Sequence, residues 1–224
     1  MPKSKLTTEI LKEESKKFSE NESKIDEPSI FGVTDGKAIG TYLEHKFQKY
    51  LKIRYNYKEG NSAKGIDFPE LSVDMKVTSI KQPQSSCPFK TARQKIFGLG
   101  YSLLVFVYDK TDDKKNRTSK LNILYNIFVE SDKTADYQTT QGLLQILKND
   151  KGQDKEIIKE DLIAFMSDRN LPADEIELNK IANILIKEPL NQGYLTISNA
   201  LQWRLQYTRV IEKAGKVDGI TKLI

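Results

Sequence analysis

The stretch Lys64-Gly-Ile-Asp67-Phe-Pro-Glu70-Leu-Ser-Val-Asp74-Met-Lys76-Val-Thr-Ser79 decides how the rest of this chain is read. Polar and apolar residues alternate from Leu71 to Thr78, which predicts a β-strand. Side chains two apart share a face, so Asp74, Lys76 and Thr78 point one way while Val73, Met75 and Val77 point the other. Asp67 lies seven positions before Asp74, across Pro69, and a turn at the proline sets the two carboxylates side by side. Two such carboxylates suit a hard divalent cation. The matching chemistry is metal-assisted phosphodiester hydrolysis: Mg²⁺ between Asp67 and Asp74 polarises the phosphate and acidifies a bound water, and Lys76 orients or deprotonates that water and neutralises developing charge.

An acidic residue two before a lysine is weak evidence alone, since Glu14 to Lys16, Glu22 to Lys24, Asp35 to Lys37, Glu44 to Lys46, Asp112 to Lys114 and Asp113 to Lys115 repeat it. Those copies lie in charged helices or loops, where a solvated ion pair is the ordinary reading. Only Asp74 to Lys76 sits in an alternating apolar strand that another Asp closely precedes.

Upstream, Ile39, Leu43, Phe47, Tyr50 and Leu51 recur at spacings of three and four, predicting a helix over Lys37 to Lys52 with one buried stripe. Beside that stripe, Gly40 would let the helix approach a sheet closely and aim Glu44, one turn on, towards the sheet's edge. There Glu44 would bind the metal through water or contribute to a second metal site. Further upstream, Lys5 to Glu20 reads as a peripheral amphipathic helix and residues 21–36 as a connecting segment. Downstream of the helix, Ile53 to Tyr57, Ile66 to Phe68 and Leu71 to Thr78 read as a three-stranded meander. Ser86 to Gly98 reads as a short helix, YSLLVFVYDK from Tyr101 as a strand buried on both faces, TDDKKNRTSK as a polar loop and Leu121 to Glu130 as a further strand. Beyond Ser131, helical periodicity returns over Thr140 to Asn149, Lys155 to Ser167 and Glu175 to Lys187. Near the end, Leu201, Trp203, Leu205 and Tyr207 alternate with Gln202, Arg204, Gln206 and Thr208, which favours a half-exposed strand. The expected fold class is α/β, an α+β arrangement with a central mixed β-sheet flanked by helices and a mainly helical C-terminal region. Three regions follow: 1–36, the N-terminal helix and connecting segment; 37–130, the catalytic core; and 131–224, a recognition or dimerisation region packed on the core.

Composition narrows the chemistry. The 224 residues carry 36 Lys plus Arg against 31 Asp plus Glu, a net +5, which permits nucleic-acid binding without demanding it. One cysteine, Cys87, cannot form an internal disulfide, and with one histidine, His45, there is no Cys/His zinc cluster. A lone His45 in a charged helix is also a poor basis for imidazole-dependent triads. The most continuous apolar run, Leu99 to Tyr108, is about half of the roughly 20 residues that cross a bilayer. The N-terminus has neither a secretory apolar stretch nor the acid-poor composition of a transit peptide, so a cytoplasmic location is expected.

The run G-I-D-F-P-E-L-S-V-D-M-K resembles the active-site signature of the PD-(D/E)xK nuclease superfamily, and more narrowly that of bacterial type II restriction endonucleases. The resemblance covers roughly Lys37 to Glu130 and includes the family's α-β-β-β-α-β core order. It implies that Asp67 is the first acidic residue, that Asp74 and Lys76 form the D/E-x-K element, and that Glu44 is the acidic residue of the first core helix. Ile66 stands where the family often has proline, and the gap from Asp67 to Asp74 is short; Glu70 is the substitute for Asp67 if Pro69 redirects the chain. The resemblance further implies Mg²⁺ as cofactor, double-stranded DNA as substrate, a homodimer with two active sites, and a cognate DNA methyltransferase in the same system that is not a stable subunit.

An enzyme of this kind reads base edges, which needs Arg, Lys, Asn, Gln, Ser or Thr side chains. Lys81, Gln82, Gln84, Ser85 and Ser86 follow the catalytic strand and are the first candidates. Lys90, Arg93, Gln94 and Lys95 on the next helix suit phosphate contacts. Gln202, Arg204 and Gln206, with Arg209 nearby, form a second candidate reading face, since a β-ribbon fits the major groove. The competing functions are a structure-specific repair or recombination nuclease and a non-catalytic DNA-binding protein on the same scaffold.

Overall fold

The computed structural model describes residues 3–60, 65–86, 91–149, 154–198 and 204–224. In chain order its elements are β1 (Ser4–Lys5), α1 (Thr8–Glu22), a 3₁₀ turn (Pro28–Ile30), α2 (Gly36–Arg54), β2 (Tyr55–Asn56), β3 (Val73–Ser79), β4 (Gln84–Ser86), α3 (Ala92–Phe97), β5 (Ser102–Asp113), β6 (Thr118–Val129), a 3₁₀ turn (Ser131–Lys133), α4 (Tyr137–Lys148), α5 (Lys155–Asp168), α6 (Glu175–Lys187), β7 (Thr196–Ile197), β8 (Arg204–Gln206), α7 (Thr208–Lys213) and β9 (Ile220–Lys222). The fold is mixed α/β. Its central sheet has the order β3-β5-β6-β9, with β3 parallel to β5 and the other two pairings antiparallel.

Packing groups residues 1–85, 101–130 and 210–224 into one compact unit and 86–100 with 131–209 into another. In the first unit β5 is interior to the sheet and is buried without interruption from Ser102 to Tyr108, as its apolar run requires. One face of the sheet, with Val73, Met75, Leu104, Phe106 and Phe128, packs on α1 and α2 through Leu11, Phe18, Leu43, Phe47 and Leu51. The Phe47 and Phe106 rings meet edge-on at 5.3 Å, a preferred aromatic geometry. In the second unit α3, α4, α5 and α6 share an apolar cluster built on Ile96, Leu143, Leu162, Met166, Ile181 and Leu185. β7 and β8 form an antiparallel pair there.

Four expectations are corrected. The N-terminal helix is not peripheral, because Leu11 is fully buried, Phe18 nearly so, and even Glu14 and Glu22 are buried. The meander does not form. Helix α2 runs on to Arg54, leaving only Tyr55–Asn56 to pair in parallel with Ser4–Lys5, and Phe68 makes a single bridge to Val73. β3 instead takes a parallel neighbour far along the chain, and a parallel pair requires a long crossover rather than a tight turn. The segment TDDKKNRTSK is mostly strand: past a shift of register between Val107 and Tyr108, β5 and β6 stay paired to Asp113 opposite Thr118, and Asp113 accepts the backbone N–H groups of Lys115 and Asn116 to close the turn. Lys95, expected at phosphate, is buried. Cys87, Lys90, Leu201, Gln202 and Trp203 lie outside the described residues.

Candidate active site

Helix α2 starts where the Asp35 carboxylate accepts the N–H groups of Lys37 and Ala38. Its buried stripe of Ile39, Leu43, Phe47 and Leu51 fixes its rotation, which leaves Glu44 and Gln48 half-buried along one side, one turn apart. Gly40 lies against β3, but a Cβ added to it would meet Val77 at 3.9 Å, an ordinary contact, so the approach does not depend on glycine.

On β3 the alternation is as the sequence predicts. Val73 and Met75 enter the core, while Asp74 is 2% exposed and Lys76 is half-buried. Lys76 Nζ lies 2.6 Å from Asp74 Oδ2. Burial pushes the Asp74 carboxyl up to about 7; Lys76 opposes that shift, and the Asp67 carboxylate against it adds to it.

Asp67 reaches the strand by a tight turn. Phe68 and Val73 exchange backbone hydrogen bonds across residues 69–72, with Ser72 in the left-handed region at φ 52°. The Asp67 carboxylate then closes on the sheet: Oδ2 accepts the Met75 N–H at 2.9 Å, and Oδ1 accepts Gln48 Nε2 at 3.3 Å. Glu70, the alternative first acid, turns the other way and accepts the Lys58 N–H. Glu44 completes the group electrostatically. Burial raises its pKa first, the Asp67 charge second, and Lys76 and His45 pull it down.

The structure thus brings Glu44, Asp67, Asp74 and Lys76 together, and three carboxylates face one ammonium. Among the described residues no group of three or more Asp, Glu, His or Cys side chains is arranged to hold a metal. Asp67 and Asp74 nevertheless fit Mg²⁺, which binds through one or two carboxylates plus waters and substrate phosphate oxygens rather than an all-protein cage. A divalent cation there would relieve the repulsion that burial leaves between the two.

The candidate DNA contacts fall out differently. Lys81, Gln82 and Ser86 are exposed and Gln84 and Ser85 half-buried. The loop is tied at its base by Thr78, whose Oγ1 accepts the Gln84 N–H at 2.9 Å. In the second unit, Arg93 pairs with Glu177, and Gln94 closes a capping box with Thr91 at the start of α3. Arg204 and Gln206 are half-buried on β8, alternating with buried Leu205 and Tyr207. Arg209 stacks over the Tyr137 ring at 3.9 Å. Gln48 was missed in the sequence; its one signal is its place four residues after Glu44.

A family model described as type II restriction enzyme NspV matches residues 5–222. The type II restriction enzyme NspV of Nostoc sp. is 62% identical over 215 residues, spanning 96% of this chain and 95% of that protein. No solved structure matches the chain.

Proposed function

The chain belongs to the family of the type II restriction enzyme NspV and is a type II site-specific deoxyribonuclease, and on that premise we propose that it cuts double-stranded DNA by Mg²⁺-dependent phosphodiester hydrolysis at Asp67, Asp74 and Lys76. The observation that carries the assignment of residues is the meeting of the Asp67 and Asp74 carboxylates beside the Lys76 ammonium. Family membership decides against the repair-nuclease and non-catalytic alternatives.

Asp67 and Asp74 would hold Mg²⁺, with Glu44 contributing through water or to a second metal site. The bound ion supplies charge for the scissile phosphate and an acidified water. Lys76, kept in place by Asp74, orients or deprotonates that water for attack on phosphorus and offsets negative charge as one P–O ester bond breaks. The proton goes to the leaving oxygen. Lys81, Gln82, Gln84, Ser85 and Ser86 read base edges beside the cut; Arg93 and Gln94, in exchanging their present partners, touch phosphate; Gln202, Arg204 and Gln206 form a second reading face. Residues 131–224 serve recognition and dimerisation, 37–130 catalysis, and 1–36 support the core. The enzyme works as a homodimer in the cytoplasm, with a methyltransferase protecting the same sites. None of the chain's described helices is long and apolar enough to cross a membrane.

The test is incubation of unmethylated phage DNA with the protein and Mg²⁺, or with chelator. Discrete fragments that need Mg²⁺ are expected. Asp74→Ala and Lys76→Ala should each slow cutting by about 10²–10³-fold or more while specific DNA binding is kept. Smears, metal-independent cutting or near-normal turnover by either variant would refute the assignment.

A further inference from the structure

Asp67 differs from Asp74 in what carries it. Asp74 stands on a strand paired residue by residue with β5, whereas Asp67 is delivered by the irregular segment that leads into the 69–72 turn. Its side chain is half-buried, faces the Asp74 carboxylate and feels the Glu44 charge. Like-charge repulsion would swing such a carboxylate out of the site. Two donors oppose that, one on each oxygen: the Met75 N–H on Oδ2 at 2.9 Å and Gln48 Nε2 on Oδ1 at 3.3 Å. A carboxylate has about four lone-pair sites, so one donor on each oxygen still leaves both oxygens able to bind a cation.

The geometry points to Gln48 as a positioning residue that aims the Asp67 carboxylate at the metal alongside Asp74. This rests on the metal-dependent reading above. The residue type matters as much as its place. A neutral amide fixes the carboxylate without cancelling its charge, while a lysine or arginine here would form an ion pair and compete with the cation. Gln48 is itself anchored, because α2 is held by Phe47 and Leu51 in the core and the Gln48 carbonyl accepts the Tyr57 hydroxyl at 3.1 Å. The backbone of the acid is pinned from a third direction. Gly60 N–H donates to the Asp67 carbonyl at 2.9 Å, and a Cβ on Gly60 would lie 1.7 Å from the Ile66 carbonyl oxygen. Partners that orient metal ligands typically account for about 10–100-fold in metal affinity.

Two variants test this. Gln48→Met keeps length and helix propensity and removes the donor; Gln48→Lys keeps a donor and adds charge. Two readouts are taken at pH 8: the rise in melting temperature of DNA-free protein as Mg²⁺ is titrated, and the Mg²⁺ concentration giving half the maximal single-turnover cleavage rate. Both variants should need about 10–100-fold more Mg²⁺ in each assay, with cleavage returning to within about threefold of the parent rate at saturating Mg²⁺ and metal-free DNA binding unchanged. A normal Mg²⁺ requirement in Gln48→Met, or a rate defect that saturating Mg²⁺ does not repair, overturns the role of Gln48. Failure of the parent protein to cut any DNA with Mg²⁺ instead overturns the reading on which it rests.

Discussion

Asp74 is where this site stores its electrostatic tension. An ordinary aspartate releases its proton near 3.8, yet burial holds the Asp74 proton up to about 7 in the folded chain. Between those values the folded state binds more protons than the unfolded one, so this group's contribution to stability is complete in acid and is lost as pH rises through about 7. Asp74→Asn, which cannot ionise, should therefore melt higher than the parent in chelator at pH 8, by on the order of 1–2 kcal/mol or about 4 °C, with the gap closing near pH 4. Thermal melts across that range decide it; an equal gap at both ends would mean that packing, not charge, sets the difference. Two glycines make a contrasting pair. Gly40→Ala adds a methyl at ordinary contact distance in a helix and should stabilise by about 0.5–1 kcal/mol with normal cleavage. Gly60→Ala forces the Ile66–Asp67 backbone to move and should cut activity by at least about tenfold, a split that melting curves and cleavage rates measured together will show.

Among elements, β3 and the loop after it form one mechanical unit through Thr78. Its hydroxyl accepts the Gln84 N–H, and the Gln82 and Gln84 carbonyl oxygens lie within 3.2 Å of the same atom. Thr78→Val keeps the shape and removes every one of these ties, at a cost of about 1–3 kcal/mol in loop order. If residues 81–86 read bases, the ratio of cleavage at the cognate site to cleavage at a one-base mismatch should fall about tenfold or more, with turnover on the cognate site less affected; an unchanged ratio removes the loop from recognition. The grouping of the candidate site was legible because Asp67, Asp74 and Lys76 fall within one alternating strand and the turn before it, where spacing alone fixes direction. Helix α6 was legible to the residue, Glu175–Lys187, because caps and periodicity agree. Strand partners were not. Alternation tells which face a side chain takes but says nothing about which distant strand accepts the backbone, so a parallel β3–β5 pair read as a local meander. Gln48 was hidden for a similar reason: a glutamine on a helix flank is ordinary until the fold shows the carboxylate opposite it.

For the whole molecule, the correction at α1 carries most weight. Leu11 has no exposed surface and joins the cluster that backs β3, β5 and β6. Leu11→Ala should cost about 2–5 kcal/mol, enough to lower the melting temperature by roughly 5–15 °C, while metal affinity in the surviving folded fraction is unchanged. A negligible shift would return α1 to the periphery. The burial of charged Glu14 and Glu22 on the same helix explains why its sequence reads as solvated: Glu14 is met by Lys17 and the Tyr50 hydroxyl, and Glu22 by Lys46, so polar residues occupy interior positions as paired groups. The outer strand of the central sheet has a consequence in time. Ile220–Lys222 pairs with Ile127–Val129, so the ribosome makes the β3 acids early and the strand at the sheet's opposite edge only after the whole second unit has been threaded through. A nascent or prematurely ended chain leaves the β6 edge of that sheet unpaired, two strands away from β3. Completion of the central sheet is thereby deferred until synthesis has passed Lys222.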